Sequence, residues 1–293
     1  MKSLPIEQYV ELFKPEKLDN IPSHLEPSPD WPVNCSAVAM DMGGTNFRIG
    51  RVSFDSDGRP AISDFKKEIM PGVNSPVSAD EFFEFFESKK REYRADRVGL
   101  CFSYRAEILN KNQARIISFS KGIQINNAEN RILNAAVLND TTAAQLGTRG
   151  ANMGLILGTG FNVCYIHNGM IINSEAGRYN EFPKEEFDFG ELSEMQVSGA
   201  YLNPLIEKCE KEGSADKEEI YDRGAKIVAA EIYKIGQHYK LGKLRIAAEG
   251  AVFYNVDCMR DKILSYLDYL GCDYEILDGR DKTLIGAAIA ALI

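Results

Sequence analysis

The chain has 293 residues, 44% of them hydrophobic and 26% charged, with Lys+Arg 34 against Asp+Glu 43 for a formal net charge of −9. Mean hydropathy of −0.26 and a pI near 5.1 complete the profile of a globular chain long enough for two domains with cores of their own. Its acidity disfavours general binding of nucleic acid or anionic membrane, so a phosphorylated ligand would need a local site or a metal ion. Residues 1–36 hold one short amphipathic segment, IEQYVELF, and then the proline-rich IPSHLEPSPDWPV, which together read as a lead-in segment. A strand over Ala37–Asp41, a turn at MGGT, and the strands NFRIGRVSF and AISDFKKEI follow. Over Asp80–Arg94, Phe82, Phe83, Phe85 and Phe86 recur at helical spacing, the pattern of a core-facing stripe with a solvated charged face. The strands VGLCFSY and ARIISFS lead to NAAVLND and a small-residue helix that starts at TTAAQLG.

The pattern then repeats. MGLILGTG (Met153–Gly160) is a strand closed by a glycine turn, and NVCYIHN and MIINSE form a hairpin, about 115 residues after their counterparts. A helical region (Phe189–Ile206, then Lys217–Tyr239) precedes the strand LRIAAEG, the helix VDCMRDKILSYLDYLG, the strand YEIL and a last helix, KTLIGAAIAALI. Two similar halves imply a duplicated α/β fold with a cleft between lobes. The first residues carry acids and a proline where a signal peptide needs an apolar core, and the longest apolar run, LIGAAIAALI, is too short to span a bilayer. Cys35, Cys101, Cys164, Cys209, Cys258 and Cys272 are scattered without a CxxC pair. They read as free thiols of a cytoplasmic protein. His24, His167 and His238 have no metal-ligand spacing, which disfavours zinc.

Three motifs carry chemistry. In DMGGTNFR a carboxylate closes a strand, and two glycines and a threonine then turn the chain. Such glycines let backbone N–H groups approach a phosphate, and an aspartate there can hold hydrated Mg²⁺ through water; an ordinary β-turn with an exposed Asp41 is the plainer alternative. LGTGFN places Thr159 at an equivalent turn of the second half. Neither turn is a Walker loop, because no GKS or GKT follows, or a Rossmann fingerprint, because neither opens a helix. In AVLNDTTAA, Asp140 follows a strand and begins a helix. It serves either as a general base for an incoming hydroxyl or as a helix N-cap.

Taken in order, DMGGTNFR, LNDTTAA, ILGTGFNVCY, INSEAG and EMQVSGAYL resemble the hexokinase family of the actin-like ATPase superfamily, from about Ala37 to the C-terminus. The resemblance implies an α/β, two-lobed actin-like ATPase (ribonuclease-H-like) fold around a central interlobe cleft. It implies a lead-in at 1–36, a small lobe at 37–139 joined by 282–293, and a large lobe at 140–281. The implied reaction moves the γ-phosphoryl of ATP, carried with Mg²⁺, to the 6-hydroxyl of a hexose. The implied partners are a small-molecule sugar and ATP, with no nucleic acid and no membrane, in a monomer or homodimer.

The resemblance also assigns roles. Asp41 would assist Mg²⁺ through water, and Gly43, Gly44, Thr45, Asn46 and Arg48 would form the first phosphate turn. Gly158, Thr159 and Gly160 would form the second, and Gly250 and Gly286 would be the adenosine-contacting turns. Asn139 would meet sugar hydroxyls beside the base Asp140. Ser103, Ser120, Lys121, Asn162, Asn173, Glu175 and Glu194 complete the implied sugar site, with Lys121 also stabilising charge on the moving phosphoryl group. Buried core carboxylates are the plainer reading of Glu175 and Glu194. The chain departs from the family where its first sugar loop reads Ser103-Tyr104-Arg105 in place of Ser-Phe-Pro, and where INSEAGRYN loses a tryptophan. The segment around Arg178–Asp188 has no family counterpart. Arg105 and Arg178 are either surface arginines paired with acids such as Glu107 and Glu181, or one of them reaches the sugar. The competing functions are a kinase for an amino or acylated hexose, and a sugar-sensing protein with a decayed site.

Overall fold

A computed structural model describes residues 4–28, 30–120, 122–183, 190–213 and 217–293. The chain forms two compact units, one of Pro22–Gly150, Asn168–Ile171 and Asp281–Ile293, the other of Met1–Ile21, Ala151–His167 and Ile172–Arg280. Helix α1 (Ile6–Leu12) opens the chain in the second unit. One division between the units falls at Ile21/Pro22 and another at Gly150/Ala151.

In the first unit, β1 (Cys35–Met42), β2 (Asn46–Phe54) and β3 (Pro60–Ile69) are successive antiparallel strands. Helix α2 (Ala79–Glu92) follows, started by a reciprocal capping box between Ser78 and Glu81. It buries Phe82 and Phe86 in the core of this unit and packs Phe83 and Phe85 at its margin. Next come β4 (Val98–Phe102), β5 (Arg105–Asn110), β6 (Gln113–Ser118), β7 (Ile132–Asn134), β8 (Ala136–Leu138) and helix α3 (Asp140–Leu146). The main sheet has the order β3-β2-β1-β4-β8, and β4 and β8 run parallel to β1. A second sheet, β7-β6-β5, flanks it in sequence. The sequence reading passes over β5, because RAEILN mixes charged and apolar residues and is paired on one edge only.

From Met153 onward, β9 (Met153–Leu157), β10 (Phe161–His167) and β11 (Met170–Asn173) are followed by α4 (Ser193–Val197), α5 (Gly199–Glu212), α6 (Lys217–His238), β12 (Leu244–Glu249), α7 (Ala251–Asn255), α8 (Asp257–Tyr269) and β13 (Tyr274–Asp278). The sheet order is β11-β10-β9-β12-β13, with the two-residue strand Ile21–Pro22 beyond β11. β12 is parallel to β9, and β13 to β12. The 3-2-1-4-5 order of the first sheet is thereby repeated, which is the structural counterpart of the repeat seen in sequence. The expected helix over 189–206 is interrupted at Ser198, whose extended backbone (φ −86°, ψ 153°) separates α4 from α5. Phe189, where it was expected to begin, lies outside the described residues.

Helix α9 (Thr283–Leu292) returns the chain to the first unit and lies on β4 and α3. Close approach is possible because glycines stand at the contacts. A Cβ on Gly99 would come 1.7 Å from the Ala287 carbonyl oxygen, and one on Gly286 would come 1.9 Å from that of Ala143. Each unit has its own apolar core. All six cysteines are free thiols. Among the described residues, no helix is long and apolar enough to cross a membrane.

Candidate active site

The first unit gathers its candidate residues along one sheet edge. β1, β4 and β8 are parallel, and Asp41 is level with Cys101, which is level with Leu138. The carboxyl ends of the three strands therefore deliver Asp41, Ser103 and the Asn139–Asp140 pair to the same edge. That is the edge at which open α/β sheets bind ligands. Two inter-strand steps put Asp41 and Leu138 roughly 10 Å apart, and Asp140 follows two residues later.

The turn after β1 is closed by a bond from Gly43 N to Asn46 O of 3.1 Å, and it is anchored outward where Met70 N donates to Thr45 O at 3.0 Å. Thr45 and Asn46 are exposed, whereas Asp41 is buried. Asp41 sits opposite Arg48 in the β1–β2 ladder, and the two side chains form an ion pair. The hydroxyl of Thr283, first residue of α9, donates to the same carboxylate at 2.9 Å. Both bonds fall on Oδ2. Oδ1 takes neither, which leaves an acceptor suited to a water of hydrated Mg²⁺. One carboxylate together with nucleotide phosphates is a donor set Mg²⁺ accepts. Among the described residues there is no cluster of three His, Cys, Asp or Glu to cage a metal alone.

Asn139 and Asp140 divide their work. Asn139 is the N-cap of α3, its Oδ1 accepting from Thr142 N at 2.9 Å. Asp140 is the first helical residue, and its Oδ1 accepts from Thr141 N at 2.9 Å. The cap reading of Asp140 therefore gives way, because its neighbour holds that position. The Asp140 carboxylate is only partly buried, and Oδ2 takes neither of its local bonds. Ser103 N donates to Met42 O at 3.1 Å, joining the expected first sugar loop to the turn after β1. Ser120 is exposed at the far end of β6, and Lys121 lies outside the described residues.

The second unit builds a matching turn. Gly158 N donates to Gly160 O at 2.9 Å, and Gly158 O accepts from Gly199 N at 2.7 Å, at the start of α5. Gly250, at the end of β12, has φ +116°, and a Cβ there would stand 2.3 Å from Leu157 O. Only glycine allows this conformation and this contact, so the expected phosphate turn and the expected adenosine turn touch backbone to backbone. Gly286 does not form the other adenosine turn. It lies inside α9, where its missing side chain admits α3.

Three of the expected sugar residues form a hydrogen-bonded chain in this unit, and a fourth, Glu194, lies beside Gly160. Asn162 Nδ2 donates to Asn173 Oδ1 at 2.8 Å, and Asn173 Nδ2 donates to Glu175 Oε1 at 2.7 Å. Glu194 Oε1 lies over Gly160, 2.8 Å from where a Cβ would be. Glu175 itself has φ +54°, an uncommon left-handed backbone for a non-glycine residue and a frequent mark of functional sites. Beside Glu175 is a small cavity of about 240 Å³ lined by Asp19, Arg178 and Asn180 among others. Arg178 donates to Asp19 at 2.6 Å, while Lys17 is the partner of Glu181 and Arg115 that of Glu107. The acids expected to hold the two arginines thus hold other cations. Arg105 is exposed at the start of β5.

Three contributors escape sequence reading. Thr283 reaches Asp41 from 242 positions away. Tyr104 donates its hydroxyl to Gly43 O. Glu231 of α6 is wholly buried and accepts from Ser193 Oγ, the neighbour of Glu194, at 2.5 Å. Desolvation pushes the Glu231 carboxyl well above its ordinary value, which favours its neutral form. No local pattern marks any of the three, although a Glu in the apolar stretch AAEIYKI is unusual.

The chain resembles known proteins in sequence and in fold. The hexokinase family model matches residues 6–149. Hexokinase-1 of Schizosaccharomyces pombe is 26% identical over 223 residues, which cover 64% of this chain and 44% of the yeast protein. Hexokinase-1 of Rattus norvegicus is 26% identical over 255 residues, covering 66% of this chain and 28% of the rat protein. The chain thus spans less than half the length of these curated relatives. Among solved structures, hexokinase from Schistosoma mansoni complexed with glucose superposes with TM-score 0.78 at 19% identity, covering 99% of this chain and 96% of that one. A ROK family glucokinase from Streptomyces griseus in complex with glucose and AMPPNP gives TM-score 0.59 at 17% identity, covering 88% and 98%. These likenesses establish the fold as that of the actin-like ATPases.

Proposed function

We propose that this chain is a sugar kinase of the hexokinase family that moves the γ-phosphoryl group of ATP to the 6-hydroxyl of a glucose-type hexose. The observation that carries the proposal is the placement of Asp140. Its carboxylate stands at the sheet edge that also bears the phosphate turn, and the capping duty it would otherwise serve is met by Asn139.

In this reading the amides of Gly43, Gly44 and Thr45, with those of Gly158, Thr159 and Gly160, receive the phosphates, and Asn46 and Arg48 flank the first turn. Asn139, Ser103, Ser120, Asn162, Asn173, Glu175 and Glu194 meet sugar hydroxyls. Because these groups are left unpaired by a ligand lacking the matching hydroxyl, they discriminate as well as bind. Asp140 accepts the proton of the 6-hydroxyl as its oxygen attacks the γ-phosphorus, and ADP leaves. Lys121 is assigned to the charge on the transferring group. Asp41 would hold hydrated Mg²⁺ brought with the nucleotide, and the ion would supply charge neutralisation to the phosphates. Gly250 borders the adenosine. A plain hexose is favoured over an acidic one because Arg178 is engaged by Asp19.

The test is turnover with ATP·Mg²⁺ across glucose, mannose, fructose, glucosamine, N-acetylglucosamine and an acidic hexose, with the product read by phosphorus NMR. A sugar 6-phosphate, with glucose ranked at or near the top by kcat/KM, is expected. Phosphoryl transfer to none of them overturns the proposal, and a marked preference for a substituted sugar overturns its glucose assignment.

A further inference from the structure

We propose that Tyr104 is a positioning residue: by holding the Gly43 carbonyl, it aims the Gly44 amide at the nucleotide phosphates. The proposal rests on the reading of residues 43–45 as a phosphate turn given above.

A peptide unit is planar, so its C=O and the following N–H point in opposite directions. Whatever holds the carbonyl of residue 43 therefore sets the direction of the N–H of residue 44. Here that group is the Tyr104 hydroxyl, which donates to Gly43 O. Two adjacent glycines give this peptide unusual freedom to rotate, so an external hold has more to do here than in an ordinary turn. The preceding carbonyl, that of Met42, is held by Ser103 N. Two successive residues of the sugar loop thus hold two successive carbonyls of the phosphate turn.

The tyrosine is itself immobilised. Its side chain is buried, with its ring centroid 5.1 Å from that of Phe102 and 4.9 Å from that of Phe119. Phe119 in turn packs on Phe82 of α2 at 5.4 Å, and it directly precedes Ser120. One side chain thereby joins the phosphate turn, the first sugar loop and the end of β6. Burial, and the nearby Asp41 charge, raise the phenol above its ordinary value, so it remains a donor at any physiological pH. Phenylalanine would preserve every ring contact and delete only the hydroxyl. The hydroxyl is also a departure of this chain from the Ser-Phe-Pro loop that the hexokinase resemblance leads one to expect.

The experiment compares wild type with Tyr104→Phe in two measurements. In steady-state kinetics, KM for ATP is expected to rise about five- to tenfold, the effect of one lost hydrogen bond, with KM for sugar within twofold. In thermal denaturation, the rise in Tm produced by a fixed concentration of ATP·Mg²⁺ is expected to shrink, with the ligand-free Tm changed by only a few degrees. An unchanged KM for ATP overturns the proposal, as does a parallel loss of ATP and sugar affinity with a collapsed ligand-free Tm, which would mark a merely structural hydroxyl. If wild type phosphorylates no sugar, the functional reading fails while the ATP·Mg²⁺ shift still tests Tyr104. Equal shifts in the two proteins, or none in either, overturn the positioning role.

Discussion

Replacing Asp140 by Asn separates catalysis from folding. The substitution keeps an oxygen to accept from Thr141 N, the 2.9 Å bond of the native side chain. It also leaves Asn139 capping α3 through Thr142 N. What it loses in stability is the interaction of one negative charge with the N-terminus of a helix, about 0.3–1 kcal/mol. For a unit of this size that is a fall in Tm of about 1–4 °C. What it loses in chemistry is the acceptor for the 6-hydroxyl proton. Loss of a general base costs about 10²–10⁴ in kcat, or about 2.7–5.4 kcal/mol of transition-state stabilisation. The kinetic penalty should therefore exceed the stability penalty several-fold. Asn139→Ala should show the opposite balance in the melt, with about 0.5–2 kcal/mol lost from the cap. The assays are a coupled ADP-release measurement with saturating glucose and ATP, a differential scanning melt, and calorimetric titration of sugar. Sugar affinity of Asp140→Asn should stay near that of wild type. A variant that retains wild-type kcat while melting several degrees lower would show that Asp140 serves the helix, and the assignment of the base would fall.

Gly286→Ala should lower Tm by about 2–8 °C, because a Cβ 1.9 Å from Ala143 O forces α9 off α3 at about 1–3 kcal/mol, partly offset by alanine's better helix propensity; an unchanged or raised Tm would show that the contact yields freely. Glu231→Gln should gain stability relative to wild type as pH rises. Burial disfavours ionisation of this carboxyl in the folded chain while the unfolded chain ionises above the ordinary carboxylate pKa, so wild-type stability is full below that pH and declines above it by up to about 1.4 kcal/mol per pH unit. Urea titrations at pH 5 and pH 7.5 read the difference, and a pH-independent gap between the two proteins would show that Glu231 is not held neutral.

Local sequence determined the elements and their duplication, because both depend on short-range patterns. Apolar runs ending in glycine turns mark β1 and β9, alternation marks the hairpins, and the Phe82–Phe86 spacing marks α2. The family resemblance singled out Asp41, Asp140 and the Asn162, Asn173, Glu175 and Glu194 set as motifs, each readable within a few residues. Other matters needed coordinates. Whether Asp140 or Asn139 caps α3 turns on a one-residue shift in where the helix begins, which propensity does not resolve. Gly286 was legible as a small residue in an apolar run, but only the packed helix shows that its hydrogen faces the Ala143 backbone. The partner of Arg178 is Asp19 rather than Glu181, because ion pairs form by proximity in space, 159 positions apart along the chain. Thr283, Tyr104 and Glu231 act on Asp41, Gly43 and Ser193 across 242, 61 and 38 positions. Side-chain chemistry is written in the sequence, but which groups become neighbours is decided only when sheets and helices pack, since the hydrogen bonds that orient a site act over about 3 Å and are blind to chain distance.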